Sequence, residues 1–193
     1  MSRAHRLLAR RLRDFRAARA GVAAIEFALI LPVMVLLYLG MTQVTLGLNM
    51  DRKVTILSRT VADLVGRDRD VSAAELDEII RAATVVLEPY DPTPVTIVLS
   101  SVYVTQLKDG SLEGRVCWSY ANANGVARAR EAIMPIPVGF DTAQTSYVFA
   151  EVALPYEPAF SPDAFMKKIT LRDDTAWPVR NAAEVAFSGR TCL

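Results

Sequence analysis

A long apolar run near the N-terminus constrains the fold of this chain more than any other feature. It reads VAAIEFALILPVMVLLYLGM and extends from Val22 to Met41. Twenty residues of α-helix span ~30 Å, which is the thickness of the hydrocarbon core of a bilayer. A secretory signal peptide has a shorter apolar stretch that ends at a small-residue cleavage site, and this run shows neither property. The run therefore predicts a retained, single transmembrane helix.

The charges of the 193-residue chain are sorted around this run. The first 21 residues hold seven Arg and one Asp, residues 22–48 hold one charge, and residues 49–193 carry a net charge of −4. Positive loops resist translocation, so the basic tail predicts a cytoplasmic N-terminus, a place in the cytoplasmic (inner) membrane and an extracytoplasmic, periplasmic C-terminal domain. The basic residues abut an apolar run instead of patterning a folded face, which argues against nucleic acid as a partner. The arginines assigned to membrane topology are Arg10, Arg11, Arg13, Arg16 and Arg19.

Two residues interrupt the apolar character of the run. Pro32 removes one helix hydrogen bond, and a mild kink of this kind is tolerated in a membrane helix. Glu26 supplies the single charge, and a carboxylate inside a membrane helix costs roughly 2–4 kcal/mol and suggests a function. The structural alternative is that Glu26, four residues into the run, reaches back to the lipid headgroups.

The spacing around Glu26 favours a specific function. Gly21 closes the basic tail, and Glu26 becomes the fifth residue of the chain if the bond between Gly21 and Val22 is cut. This arrangement resembles the processing site of type IV prepilins and pseudopilins. The stretch GVAAIEFALILP, with Phe27 directly after the glutamate, resembles the opening of the TadE-like family, the pseudopilin-type components of tight adherence (Tad) pilus assembly systems. The resemblance implies a prepilin peptidase that acts between Gly21 and Val22.

The helix is expected to continue beyond the membrane. Met50, Val54, Leu57, Val61 and Leu64 recur at helical spacing, while charged residues occupy the other faces. We expect one helix from about Gly21 to Val65, ended by Gly66, with its apolar seam packed on the chain's own sheet. A separate stalk helix is the alternative, because glycine and asparagine near residue 48 are weak helix formers. The expected segments are a leader (1–21), a transmembrane helix (22–48), an amphipathic extension (49–70) and an extracytoplasmic α+β domain (71–193).

The C-terminal segment combines one well-marked helix with strands. Ser72 and Glu75 form the capping box S-x-x-E, and Pro89 lies beyond the helix that follows. The dipeptide Asp109-Gly110 predicts a hairpin turn. Ser161-Pro162 predicts a further short helix through Lys168. The strands are expected at Val95–Leu107, Leu112–Tyr120, Tyr147–Leu154 and Pro178–Phe187, which gives a pilin-like α+β fold with a roughly four-stranded antiparallel sheet.

Two cysteines, Cys117 and Cys192, lie in the segment expected outside the cytoplasm. They are 75 positions apart and lack histidine partners, so their spacing does not suggest a metal site. An even count in an oxidising compartment favours a structural disulfide. Two unpaired thiols are the alternative.

Few catalytic arrangements are available in this sequence. The single histidine, His5, belongs to the basic tail, so a histidine-dependent triad in the outer domain is excluded. No nucleotide-binding glycine pattern occurs, and neither a cofactor nor a metal is expected. The close carboxylates Asp68/Asp70 and Asp173/Asp174 are interleaved with arginines, which is typical of solvated loops.

These observations favour a membrane-anchored, non-enzymatic structural subunit. The resemblance implies a contribution to Tad-type pilus assembly and adhesion. The expected partners are the lipid bilayer, other pilin, pseudopilin or Tad assembly subunits through the N-terminal helix, and a prepilin peptidase. The alternative is an uncleaved, signal-anchored extracytoplasmic binding or sensor protein, which would need neither Gly21 nor Glu26.

Overall fold

The chain has an α+β architecture in which a long helix precedes a short helix and an antiparallel sheet. The computed structural model describes residues 20–158 and 169–192. The helix expected at Ser161–Lys168 and the five topology arginines lie outside the described residues. The elements are α1 (Ala20–Arg67), β1 (Asp70–Val71), α2 (Ala73–Thr84), β2 (Thr96–Gln106), β3 (Leu112–Ala121), β4 (Ile133–Met134), β5 (Ser146–Tyr156), β6 (Ile169–Pro178) and β7 (Ala186–Phe187).

The chain divides into two compact units, Met1–Thr45 and Leu46–Leu193. Helix α1 runs through the boundary between them without a break. One continuous helix was the preferred prediction from the sequence, and its existence is confirmed. The helix ends at Arg67 and not at Val65, because Gly66 is still helical.

The second half of α1 packs on the core of its own unit. Val54, Leu57 and Val61 are fully buried, as the seam predicted. The seam continues at Val65, whereas Leu64 is only partly buried. The observed step from Val61 to Val65 is four residues, whereas the expected step to Leu64 is three. At this point of a straight helix with 3.6 residues per turn, the position four residues on lies on the buried face.

Helix α2 begins at the predicted capping box. The Ser72 hydroxyl accepts a hydrogen bond from the backbone N–H of Glu75, and the Glu75 carboxylate accepts one from the backbone N–H of Ser72. The apolar face of α2 buries Leu76, Ile80 and Ala83. A 3₁₀ turn, Val85–Leu87, follows before the chain enters the sheet.

The sheet has five strands in the order β4-β3-β2-β5-β6, and all neighbours are antiparallel. One face carries the main core against α1 and α2, with Ile97, Leu99, Ala150, Val152 and Leu154 among its buried members. The other face carries a smaller core at one end. Its buried residues are Val102, Val104, Val116, Met134 and Tyr147.

The position expected for the fourth strand was wrong. The strand next to β5 is β6 at Ile169–Pro178, and it contains Asp173 and Asp174, which were expected in a loop. The charged residues are accommodated because β6 is an edge strand whose side chains are largely accessible to solvent. Of the residues after Pro178, Ala186 and Phe187 pair in parallel with β1.

Candidate functional site

The first candidate site is the exposed apolar part of α1. Among the described residues of the first unit, the side chains from Val22 to Tyr38 are exposed, and nearly all are apolar. By length and composition, α1 could cross a membrane. Apolar surface of this extent is unfavourable in water and favourable in lipid. The geometry therefore agrees with a single-pass anchor.

The residues of the expected processing site lie together at the start of this helix. Gly21, Val22, Glu26 and Phe27 all have helical backbone conformation. Val22 and Glu26 are four residues apart, so they lie on the same face within one turn. A Cβ atom added at Gly21 would meet no atom within 4 Å, so this position has open space around it.

A polar tie holds the end of α1 against the sheet. Asp63 accepts a hydrogen bond of 2.8 Å from Trp177 Nε1 and forms an ion pair of 2.9 Å with Arg180. Arg67, one helical turn further on, also pairs with Asp63. The hydrogen bond from Arg67, together with those other partners, lowers the pKa of Asp63 below its ordinary value, although partial burial opposes the shift. The sequence analysis missed this tie, and only the i, i+4 spacing of Asp63 and Arg67 signalled part of it.

The second candidate site is formed by the two cysteines. Cys117 and Cys192 lie at disulfide distance, with their Cα atoms 5.1 Å apart, so the predicted pairing agrees with the structure. A β-bulge in β3 positions Cys117, because Ser101 pairs with Trp118 and Val102 pairs with Val116, leaving Cys117 without a cross-strand partner. Bulges redirect side chains, and this one places both Cys117 and Trp118 in the main core.

Glu184 lies beside the cysteine pair and was not singled out from the sequence. Its carboxylate accepts hydrogen bonds of 3.1 and 2.9 Å from the backbone N–H of Cys192. The distance from its Oε2 atom to Cys117 Sγ is 3.8 Å. Only 6% of Glu184 is exposed. No motif or spacing predicts the contact with Cys117, because the two residues are 67 positions apart along the chain.

An open groove of about 430 Å³ lies on the sheet face opposite the main core. Glu151 and Asp174 face each other across β5 and β6 in this groove. Arg128 binds the Glu151 carboxylate through two nitrogens, one of them at 2.7 Å. Burial and the neighbouring negative charge of Glu151 raise the pKa of Asp174. The groove has a mixed polar and apolar lining, and its Glu151 carboxylate is already paired with a cation.

Comparison with known families gives a match to the N-terminal helix. The family model described as TadE-like protein matches residues 21–63. This segment is similar to the TadE-like family. The TadE-like segment covers the exposed apolar part of α1 and most of the buried seam, and it ends at Asp63. It contains Gly21, Val22, Glu26 and Phe27, the residues on which the sequence resemblance was based. Neither a curated protein nor a solved structure matches the chain.

Proposed function

We propose that this protein is a membrane-anchored, pseudopilin-like structural subunit of a Tad-type pilus assembly system. One observation carries the proposal: the TadE-like match coincides with the helix whose first part is apolar and exposed. The matched segment also includes most of the seam by which α1 packs on its own domain. Such a helix is suited to join a lipid-embedded anchor to a folded domain.

In this proposal the basic tail stays in the cytoplasm and the α+β domain lies outside the cytoplasmic membrane. The arginines of residues 1–21 support that orientation. The cysteine pair at disulfide distance also supports it, since disulfides persist in oxidising compartments.

We further propose that a prepilin peptidase removes residues 1–21. Cleavage would leave an α-amine at Val22, with Glu26 one helical turn away. A carboxylate near the N-terminus of a helix is favoured by the helix dipole. Because Glu26 lies one turn from Val22, the new amine has two candidate partners. They are Glu26 of its own chain and Glu26 of a neighbouring subunit.

Pairing with a neighbouring subunit would give Glu26 a role in assembly. Opposite charges attract strongly in a low-dielectric environment, although loss of hydration offsets much of the gain. The main consequence would be a fixed axial register between packed helices, as buried polar groups fix register in coiled coils. A charge that paired only within its own chain would set no register between subunits.

N-terminal sequencing of the membrane-extracted protein tests processing. We expect a start at Val22 in cells that contain an active prepilin peptidase. Gly21→Val should block cleavage, because a β-branched side chain at the scissile bond hinders the peptidase, while the open space around Gly21 leaves the fold intact. Gly40→Ala, at another open helical position, should be processed normally. A start at Met1 or Ser2 would contradict the processing proposal.

Substitution of Glu26 tests the assembly role. Glu26→Gln and Glu26→Leu should insert into the membrane normally and impair pilus formation. Met34→Leu alters an exposed apolar residue of the same helix and should have no effect on either readout. Normal pilus formation by both Glu26 variants would contradict the proposed assembly role of Glu26.

We propose a structural and not a catalytic role. This is supported by the TadE-like match, which belongs to a pilus-related structural family. The paired charges of the groove at Glu151 also favour a structural surface over an acid–base site, since the Arg128 guanidinium already binds this carboxylate.

The second candidate function is an uncleaved, anchored binding protein. The groove of about 430 Å³ on the outer face of the sheet is the observation that favours it. The two functions differ in their dependence on the N-terminal segment. Loss of function in both Gly21→Val and Glu26→Gln supports the assembly subunit, whereas full function of both variants supports the anchored binding protein.

A further inference from the structure

The surroundings of the cysteine pair suggest a second chemical state of this site. One ligand atom from each of Cys117, Cys192 and Glu184 can be chosen so that all three lie within 4.8 Å of one another. Cys117 and Glu184 are each only 6% exposed. Two sulfur atoms and a carboxylate oxygen at this separation are close enough to share one metal ion once the sulfurs are no longer bonded to each other.

The neighbouring contacts hold this arrangement independently of the sulfur–sulfur bond. Trp118 Nε1 donates a hydrogen bond of 2.7 Å to the carbonyl oxygen of Val185, directly after Glu184. The backbone N–H of Gly189 donates to the Asp70 carboxylate at 3.0 and 3.1 Å. The parallel pairing of β1 with β7 lies between these two contacts. The stretch between Glu184 and Cys192 is therefore tied to the core at Val185 and at Gly189.

We propose that the reduced form of this site binds a Zn²⁺ ion through Cys117, Cys192 and Glu184. A dithiol reductant supplies two electrons, the bond between the two sulfur atoms breaks, and each sulfur takes up a proton. The dithiol becomes a disulfide in the same exchange. When Zn²⁺ binds, both thiols release their protons to solvent and coordinate the metal as thiolates.

The composition of the site matches the preferences of zinc. Zn²⁺ binds thiolate at ~2.3 Å and carboxylate at ~2.0–2.2 Å, and three protein ligands leave its fourth tetrahedral position to water. Two thiolates and a carboxylate in a buried site repel one another, and a divalent cation offsets this repulsion. The backbone N–H of Cys192 already donates to Glu184, so the carboxylate is oriented toward the sulfurs before metal binds.

Metal titration of the full chain in detergent tests the proposal. The protein is reduced with a dithiol, separated from it without oxygen, and titrated with Zn²⁺ in competition with a chromophoric chelator. Cd²⁺ serves as a second probe, because cadmium–thiolate bonds give an ultraviolet charge-transfer band. We expect one equivalent of tightly bound metal and the thiolate band in the reduced protein, and neither in the oxidised protein. Binding that is equal in both redox states, or no binding in the reduced state, would overturn the proposal.

Variants separate the carboxylate from the thiols. Glu184→Gln should weaken Zn²⁺ binding by more than the ~10–100-fold that a metal site loses when only an outer-shell partner is removed, because it takes away a ligand. Glu78→Gln, at an exposed position on α2, should bind as the wild type does. Formation of the Cys117–Cys192 bond on reoxidation of Glu184→Gln will show that its cysteines still meet. Unchanged zinc affinity in that variant would exclude Glu184 as a ligand and contradict the three-residue site.

Discussion

The indole Nε1 of Trp177 donates a hydrogen bond of 2.8 Å to the carboxylate of Asp63, across 114 positions of sequence. This contact joins the last turns of α1 to the end of the edge strand β6. Arg67 and Arg180 bind the same carboxylate. One acidic residue at the end of the TadE-like segment thus connects it to the C-terminal part of the sheet.

Asp63→Asn should destabilise the domain by about 1 kcal/mol, because the amide can still accept from Trp177 but no longer attracts the two arginines. The folded-state pKa of Asp63 is lowered, so its stabilising effect is present above the unfolded-state pKa of about 4 and is lost as the pH falls. The difference in free energy of unfolding between the wild type and Asp63→Asn should become smaller from pH 6 to pH 3. Denaturant unfolding followed by tryptophan fluorescence measures this, with the exposed Asp68→Asn as control. A stability difference that increases in acid would contradict the stabilising role of the ionised Asp63 carboxylate.

Loss of the cysteine pair should lower the stability of the domain more than Asp63→Asn does. The two residues are separated by 75 positions, and closing a loop of this length lowers the entropy of the unfolded chain by an amount equivalent to roughly 4 kcal/mol. The double variant Cys117→Ser, Cys192→Ser should lose about this much stability. In the wild type, alkylation should add mass to both cysteines only after reduction. Alkylation of the unreduced, denatured protein would show that the thiols are unpaired.

Alanine substitutions at two adjacent serines of β2 should change the stability of the domain in opposite directions. Ser100 and Ser101 are both fully buried. The Ser100 hydroxyl bonds to Ser119 at 3.0 Å, whereas the Ser101 hydroxyl, opposite the bulge, has no hydrogen-bond partner among the described residues. Ser100→Ala should cost about 1 kcal/mol, and Ser101→Ala should stabilise by a similar amount. Each variant serves as the control of the other in an unfolding measurement. Equal losses would mean that Ser101 has a partner in solution.

Two glycine-to-alanine substitutions in α1 should change the stability of the domain in opposite directions. A Cβ atom at Gly66 would lie 2.9 Å from the backbone oxygen of Pro178, so Gly66→Ala should cost about 1–3 kcal/mol. A Cβ atom at Gly47 would lie 3.5 Å from Tyr156 Cε1, an ordinary contact, and alanine is the better helix former by about 1 kcal/mol. Gly47→Ala should therefore stabilise. Thermal unfolding of both variants checks the pair, and a tolerated Gly66→Ala would show that α1 and β6 separate easily.

Features set by neighbouring residues were predictable from the sequence. The capping box of Ser72 and Glu75 begins α2, and the Asp109 carboxylate accepts from the backbone N–H of Ser111 in the predicted turn. The apolar period of α1 identified its buried face. In each case the signal and the contact lie within a few residues of each other, so local chemistry suffices.

Features set by pairing between distant segments were not predictable. The bulge at Cys117 depends on the register between β2 and β3, and no residue type marks it. Asp173 and Asp174 carry a loop-like pattern, yet β5 provides the hydrogen-bonding partner that makes their segment a strand. Glu184 meets the cysteines only because β7 returns to β1. Such contacts require tertiary information that a single sequence does not contain.

The parallel pairing of β1 with β7 has a mechanical consequence. Strand β1 follows directly after α1, and β7 lies a few residues before Cys192, so the end of the long helix and the C-terminal segment meet at one point of the domain. A pulling force applied between α1 and the C-terminus would pass through this short pair and the hydrogen bond between Gly189 and Asp70. The cysteine linkage carries the remaining load into β3. A subunit held by its helix and pulled at its far end would load this junction together with the seam that packs α1 on the main core.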